Sequence, residues 1–459
     1  MKTTFSGWHY LWKSEDIRRK LIITLLILVI YRLAANVPAP GVDHDILAAF
    51  RASTTGSGGF LGFLDLLSGG TVSNFSLLSM GVYPYITAQI IIQLLIPIIP
   101  SLQKRIQDDP REGRRWQEKW TYYLAVPMAA LSAIGQINIF NSLSIQGIGQ
   151  PILPFGLFDA ETSLASWSVL IAMTAGTMFA IWLGELISEY GIRGQGLSLV
   201  IFAGIVAQIP ANFASLLADE QNRWIMLALT VVVIVLTVLA IVYVQQGRRN
   251  VPVMYPGRRV GNRMSMPVKG TMPLMVNLSG MIPLIFASAI LQFPAIIASY
   301  FTASENKGVA DFFLGVQNFF GATGSSNWGY WTLYFLMVVV FTFFYTTVMF
   351  DQQNYGENLK KIGASVPGVL TGAPTQKYLS TVQSRITLVG AVFLGIVAIM
   401  PFLLGLLLSA FNISAANNTG IFLITSSGLL IVVGVVRDTF QNIDAELKLH
   451  GYQDSLLVR

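Results

Sequence analysis

Ten long apolar runs constrain this chain more than any other feature of its sequence. A helix that is apolar on every side must lie inside a large core or in lipid, and a bilayer crossing takes about 20 such residues. The runs fall near Leu21 to Asn36, Leu77 to Ile99, Tyr122 to Phe140, Trp167 to Ile187 and Leu197 to Ile209. Five more lie near Ile225 to Val244, Leu274 to Ala298, Trp331 to Phe350, Ile386 to Leu408 and Ile421 to Val436. Only 11% of the 459 residues are charged, against roughly 25% in a soluble protein. The expected fold is an all-α polytopic membrane bundle of ten transmembrane helices.

Lys and Arg set the orientation of such a bundle, because cytoplasmic connections accumulate them. Of the 29 in the chain, all but Arg32, Arg51, Arg223 and Lys307 fall in the N-terminal segment, the even-numbered connections or the C-terminal tail. Both termini are therefore expected in the cytoplasm, with the chain multi-pass in the membrane. The basic segment 1–20 precedes a first run with no small-residue cleavage site after it, which reads as a retained span, with a removed signal peptide as the alternative.

Few chemistries remain. The chain has no Cys, which removes disulfides, thiolate nucleophiles and Cys-based metal sites. His9, His44 and His450 all lie outside the apolar runs, and no P-loop, HExxH or GxSxG string occurs. No catalytic residue, metal site or cofactor is expected, and the chain does not read as an enzyme. Glu185, with Glu189 one turn later, sits at the cytoplasmic end of the fourth run, where a helix-end role outweighs ion coupling. Arg437 with Asp438 reads the same way at the end of the tenth.

Three cytoplasmic connections are conspicuously basic, from Lys104 to Lys119, Arg248 to Lys269 and Lys360 to Arg385. The last two far exceed the roughly 2 to 8 residues that join bundle helices, so a large acidic partner is expected to dock on them.

An internal repeat fixes the architecture. Gly81-Val82-Tyr83-Pro84-Tyr85-Ile86 in the second run matches Gly280-Met281-Ile282-Pro283-Leu284-Ile285 in the seventh, and Ala88 with Ala287, Ile91 with Ile290 and Gln93 with Gln292 continue the match. Each run is the second of five. An odd count per half turns the halves over, giving two inverted five-helix halves with the second and seventh spans facing each other. Gly and Pro at the same point of both suggest broken helices beside a path. Val82, Ile86 and Ile285 line that path with no charged ring, and an apolar constriction excludes ions by dewetting. The residues alone leave open a secondary transporter of a small solute.

Five strings in order across the ten runs resemble bacterial SecY, the channel family of the general protein translocase: Leu66 to Gly70, Pro84 to Leu95, Trp182 to Ile187, Ile282 to Ser288 and Arg385 to Gly390. The resemblance implies a clamshell around an hourglass pore that passes secreted polypeptides across the membrane and releases membrane proteins sideways into lipid. Carried over position by position, its pore ring is Val82, Ile86, Leu197, Ile201, Ile285 and Ile431, apolar throughout. The family's plug corresponds to 58–70, including Gly58, Phe60, Leu64, Leu67, Gly69 and Gly70. Spans two, three, seven and eight would form a lateral gate; Thr87 and Gln93 are its expected polar members, chosen by position and not by the resemblance.

The halves are expected at 21–213 and 214–438, with cytoplasmic loops 245–272 and 351–385 and a tail at 439–459. The loops would dock the SecA ATPase or a ribosome, through Arg248, Arg249, Arg258, Arg259 and Arg263 on the first and Lys360, Lys361, Leu370 and Lys377 on the second. One departure stands out. Where the family reads Pro-Gly-Ile-Arg-Pro-Gly, this chain has Pro367-Gly368-Val369-Leu370-Thr371-Gly372, so the turn is expected to survive while the cation gives way to an apolar tip of Val369 and Leu370. The resemblance further implies SecE-like and SecG-like small membrane subunits, signal-sequence-bearing polypeptides and membrane lipids as partners.

Overall fold

The structure is a computed structural model, and it describes residues 14–42, 75–148, 150–153, 155–156, 163–194, 196–218, 223–256, 259–260, 263–264, 268–301, 307–320, 328–410 and 419–449. The expected plug at 58–70, Arg258 and the three histidines lie outside these residues.

The first half comprises α1 (Glu15–Ala34), α2 (Tyr83–Ile98), α3 (Pro100–Asp108), α4 (Pro110–Ile148), α5 (Ser163–Tyr190) and α6 (Gly196–Ala218). After α7 (Arg223–Gln246) come four strands, β1 (Arg248–Tyr255), β2 (Arg259–Val260), β3 (Arg263–Met264) and β4 (Val268–Met275). The second half continues with α8 (Ile282–Phe301), α9 (Lys307–Phe320), α10 (Trp328–Gln352), α11 (Tyr355–Lys361), α12 (Ala373–Ala410) and α13 (Thr419–Leu449). Each of the ten apolar runs has its helix. Among the described residues Arg111–Asn141, Ser163–Tyr190, Leu227–Gln246, Trp328–Lys361 and Ala373–Met400 are long and apolar enough to cross a bilayer. Their outward faces carry large apolar side chains such as Leu131, Ile171, Leu239 and Leu336, more exposed apolar surface than a soluble monomer shows.

Two helices begin later than the apolar runs suggest. The second run opens with turns at 75–82, stitched by Ala39 N–H to Phe75 O at 3.0 Å and Leu77 N–H to Val37 O at 3.0 Å. The start of the seventh run is strand β4 followed by a turn at 276–281. The cause is shared: Gly81 (φ 52°) and Gly280 (φ 63°) both adopt the left-handed conformation, which a helix cannot propagate through and which glycine reaches at least cost. Pro84 and Pro283 then fall in the first turn of their helices, where a missing N–H costs nothing. The expectation of broken helices at these prolines is thus corrected: they start α2 and α8 and do not interrupt them.

At its other end α2 stops before Pro100, with Ile99 extended (φ −102°, ψ 104°), as the residue preceding a proline prefers. Helix α6 runs past the expected boundary at 213/214, and α13 is continuous across 438.

The halves touch along two seams. On one, α2 and α4 pack on α8; on the other, α6 packs on α7 and α13. Helices α2 and α8 run antiparallel, since Tyr83 at the start of α2 meets Ala289 within α8, while Gln93 near the end of α2 shares a cavity with Gly280 before α8. That crossing is the geometry an inverted repeat produces.

Candidate functional site: a waist between the halves

Between the seams lies a cavity of about 480 Å³, whose wall includes Ile86 of α2, Leu197 and Ile201 of α6 and Ile285 of α8. Val82 and Ile431 sit just behind it, 1% and 0% exposed. Val82, Ile201 and Ile431 belong to one apolar cluster against which Ile86, Leu197 and Met281 pack. The six expected ring residues therefore converge from four helices, α2, α6, α8 and α13. Met281 joins them; its repeat partner is Val82, a signal that could have found it, but the ring was carried over from the resemblance, which does not include this position.

What brings α6 so close is a pair of glycines. A Cβ on Gly196 would collide with the Gly184 carbonyl, and one on Gly184 would come within 2.8 Å of Leu197 Cδ2. The Trp182-Leu183-Gly184-Glu185 string thus has a packing reason: without side chains at 184 and 196, the backbones of α5 and α6 meet and Leu197 is delivered to the wall.

Among the described residues, one hydrogen bond crosses the largely apolar seam of α2 with α8. Tyr83 and Ile90 pack with Phe286, Ala289 and Tyr345, and Phe286 meets Tyr345 edge-on at 5.7 Å. Across it the Tyr83 hydroxyl donates to Ala289 O at 3.3 Å, fully buried. The two polar residues chosen from sequence behave differently. The Thr87 hydroxyl donates to Tyr83 O at 2.7 Å within its own helix, so it makes no bond across the seam. Gln93 faces the cavity, and its buried Oε1 has no hydrogen-bond partner. Tyr83, an aromatic beside a proline, gave no sequence signal of its own role.

Amides and hydroxyls of Gln89, Ser198, Asn277 and Ser279 line the rest of the cavity with Arg437 and Asp438. The Arg437 guanidinium donates to Gln245 O at 3.2 Å and lies 3.7 Å from the Asp438 carboxylate. The pair is therefore part of the cavity wall, tying the end of α7 to α13, and more than a helix terminus. Glu185 and Glu189 stay on α5, away from this wall.

Below the cavity the two long loops fold into one body, which their sequences did not reveal. Strands β1 and β4 pair antiparallel from Arg248 with Met275 to Tyr255 with Val268. Alternation buries Val251 and Val253 with Leu274, and these pack on Phe350, Leu359, Ala364, Val366, Leu379 and Val382 from the second loop and its flanking helices. Met254 and Ser365 exchange backbone hydrogen bonds of 2.8 and 2.9 Å, joining the loops directly. Arg248, Arg249, Lys360, Lys361 and Lys377 are exposed on this platform, while Arg259 and Arg263 open the short strands β2 and β3 at the hairpin's far end.

Leu370 is 78% exposed, on a turn held by the Thr375 hydroxyl donating to Leu370 O at 2.7 Å. Val369 instead turns inward onto the platform core, so the apolar tip is one residue and not two. Nearby, Lys20 of α1 pairs with Glu446 of α13 at 2.7 Å, and Asn442 donates to Arg193 O at 3.3 Å. The N-terminal helix, the α5–α6 connection and the end of α13 thus share one face.

A many-helix membrane fold whose halves enclose a cavity, apolar on one wall and lined by amides and hydroxyls on the rest, is the architecture of a membrane channel. The sequence matches the SecY family profile over residues 76–440. It is 32% identical to the protein translocase subunit SecY of Micrococcus luteus, covering 97% of this chain and 98% of that one. The Streptomyces galbus SecY is 33% identical with the same coverage, and the Mycobacterium bovis SecY 34%, over 97% of this chain and 98% of that one. Among solved structures, a protein-conducting channel superposes with a TM-score of 0.58 at 18% identity, covering 97% of this chain and 94% of the other. The chain belongs to the SecY family.

Proposed function

We propose that the waist is the constriction through which polypeptides pass, with Val82, Ile86, Leu197, Ile201, Ile285 and Ile431 as its ring. The observation that carries this reading is the meeting of Ile86, Leu197, Ile201 and Ile285 on one cavity wall, from three helices far apart in sequence. Branched alkyl groups seat around a chain of any sequence without selecting it, and when no chain fills the constriction it dewets and so excludes ions. The seam of α2 with α8 is the side exit into lipid, and Tyr83 its hydrogen-bonded clasp.

The basic face is cytoplasmic, with both termini on it, in the cytoplasmic membrane of a bacterium. Two lines support this: the distribution of Lys and Arg, and the clustering of α1, α13 and the platform at one end of the bundle. The platform of β1, β4 and the 351–385 loop docks the SecA motor or the ribosome, which supply the driving force, and SecE-like and SecG-like subunits complete the complex. The domain boundaries, two inverted halves with a cytoplasmic platform, follow from the same repeat.

Disulfide trapping tests the path, and the absence of native Cys makes it clean. A translocating chain arrested with a single cysteine at the waist is expected to crosslink to Ile86→Cys, Leu197→Cys, Ile201→Cys and Ile285→Cys. It is not expected to crosslink to Tyr243→Cys, 83% exposed on the outer face of α7. Equal crosslinking at 243 and at the wall would overturn the assignment.

A further inference from the structure

Helix α9 (Lys307–Phe320) joins the end of α8 to the start of α10. Helix α8 leaves the cavity beside the platform and, at 1.5 Å per residue, its 20 residues span about 30 Å, while α10 returns to the platform at Gln352. Helix α9 therefore lies at the end of the bundle opposite the basic platform.

Its sequence is two-faced. At 100° per residue, Val309, Phe312, Phe313, Val316, Phe319 and Phe320 fall within roughly a third of the circumference, and Asp311 and Gln317 fall outside that arc. Packing uses only one edge of the apolar arc. Phe313 stacks on Phe301 of α8 at 4.6 Å and Phe320 packs against the core of the second half. The other edge, Phe312 and Phe319, is exposed, as is Val309 nearer the middle of the arc, with Phe312 the most open. Exposed Ile297 and Phe301 on the last turns of α8 and exposed Trp328 at the start of α10 border it.

We propose that α9 lies in the plane of the bilayer surface on the face away from the platform, with Val309, Phe312 and Phe319 inserted at the boundary of headgroups and acyl chains. Continuity decides the occupant: the exposed edge runs directly into the outward apolar faces of two membrane-spanning helices, which lipid covers, and a Trp at such a junction sits where aromatic belts form. A two-faced helix, here with Asp311 and Gln317 outside its apolar stripe, is the kind that lies in this boundary. Because α9 joins α8 to α10, its grip on the leaflet holds the far ends of the two helices that close on α2 at the seam. The inference needs only that α8 and α10 cross the membrane, not that the waist conducts.

The test uses the full chain in vesicles of phosphatidylglycerol and phosphatidylethanolamine, with an environment-sensitive NBD fluorophore on Phe312→Cys, Phe319→Cys or, as the polar-face control, Asp311→Cys. Labels at 312 and 319 are expected to emit to the blue of the label at 311, to lose emission when nitroxide-bearing lipids are added, and to resist aqueous iodide. Two outcomes overturn the proposal: iodide quenching at 312 and 319 equal to that at 311, which places this edge in water, or shielding from both quenchers, which places it under protein.

Discussion

The waist and the platform are both apolar clusters, yet they are held in opposite ways. At the waist, side chains from four helices meet through dispersion and burial alone, and one buried hydrogen bond, Tyr83 to Ala289, crosses the neighbouring seam. On the platform, eight residue pairs of a strand ladder and the Met254–Ser365 bonds fix the backbone in addition to the packing of side chains. Non-directional contacts can part and re-form around an intruding chain, whereas a hydrogen-bonded ladder defines one geometry. The part proposed to open is thus sealed by contacts without direction, and the part proposed as the docking platform is built from contacts with it.

The largest expected effect tests the rigid side. Leu379 is fully buried among Val251, Val253 and Phe350, so Leu379→Ala is expected to destabilise the platform by about 2 to 5 kcal/mol through transfer and cavity terms. Limited proteolysis within 256–268 reads this out as faster cleavage. Unchanged cleavage would mean that the hairpin does not depend on this core.

At the seam, Tyr83→Phe removes the one cross-helix bond and keeps the ring. A buried neutral hydrogen bond contributes about 1 kcal/mol, enough for a roughly fivefold shift toward the open seam. Export of a substrate with a defective signal sequence is expected to rise by about that factor. No rise, at normal expression, would leave the seam closed by apolar packing alone.

The smallest effect falls on the platform's rim. Leu370→Arg changes an exposed residue, so stability is expected to stay within about 0.5 kcal/mol of the parent. Binding of SecA is expected to weaken, because an apolar contact at this tip would have to bury an unpaired charge. Tighter binding would mean that the motor presents a carboxylate there.

Much of this was legible in sequence, and the reasons differ by region. All ten spans were visible because lipid demands uniform apolarity; the Gly81 and Gly280 repeat pointed to Val82, Ile86 and Ile285, while Leu197, Ile201 and Ile431 came only from the resemblance to SecY. The starts of α2 and α8 were not, since Gly81 and Gly280 lie inside runs whose hydropathy continues across them. The hairpin was missed because Arg248 to Met275 reads as a basic connector, with only Val251, Val253 and Leu274 hinting at alternation. Helix α9 carries a two-faced pattern that a search for long apolar runs passes over, and the wall position of Arg437 depends on what packs beside it, which no local pattern encodes. Thr87 was chosen for polarity alone, and its own helix satisfies it.

The central claim is that an apolar ring at rest keeps ions out. Conductance of the purified channel complex in planar bilayers, parent against Ile86→Asn with Ile285→Asn, tests it most directly. Both side chains stand on the cavity wall, so the amides are expected to wet the constriction and give a resting ion current that the parent lacks, without change in the platform's resistance to protease. A double variant as tight to ions as the parent would contradict the account.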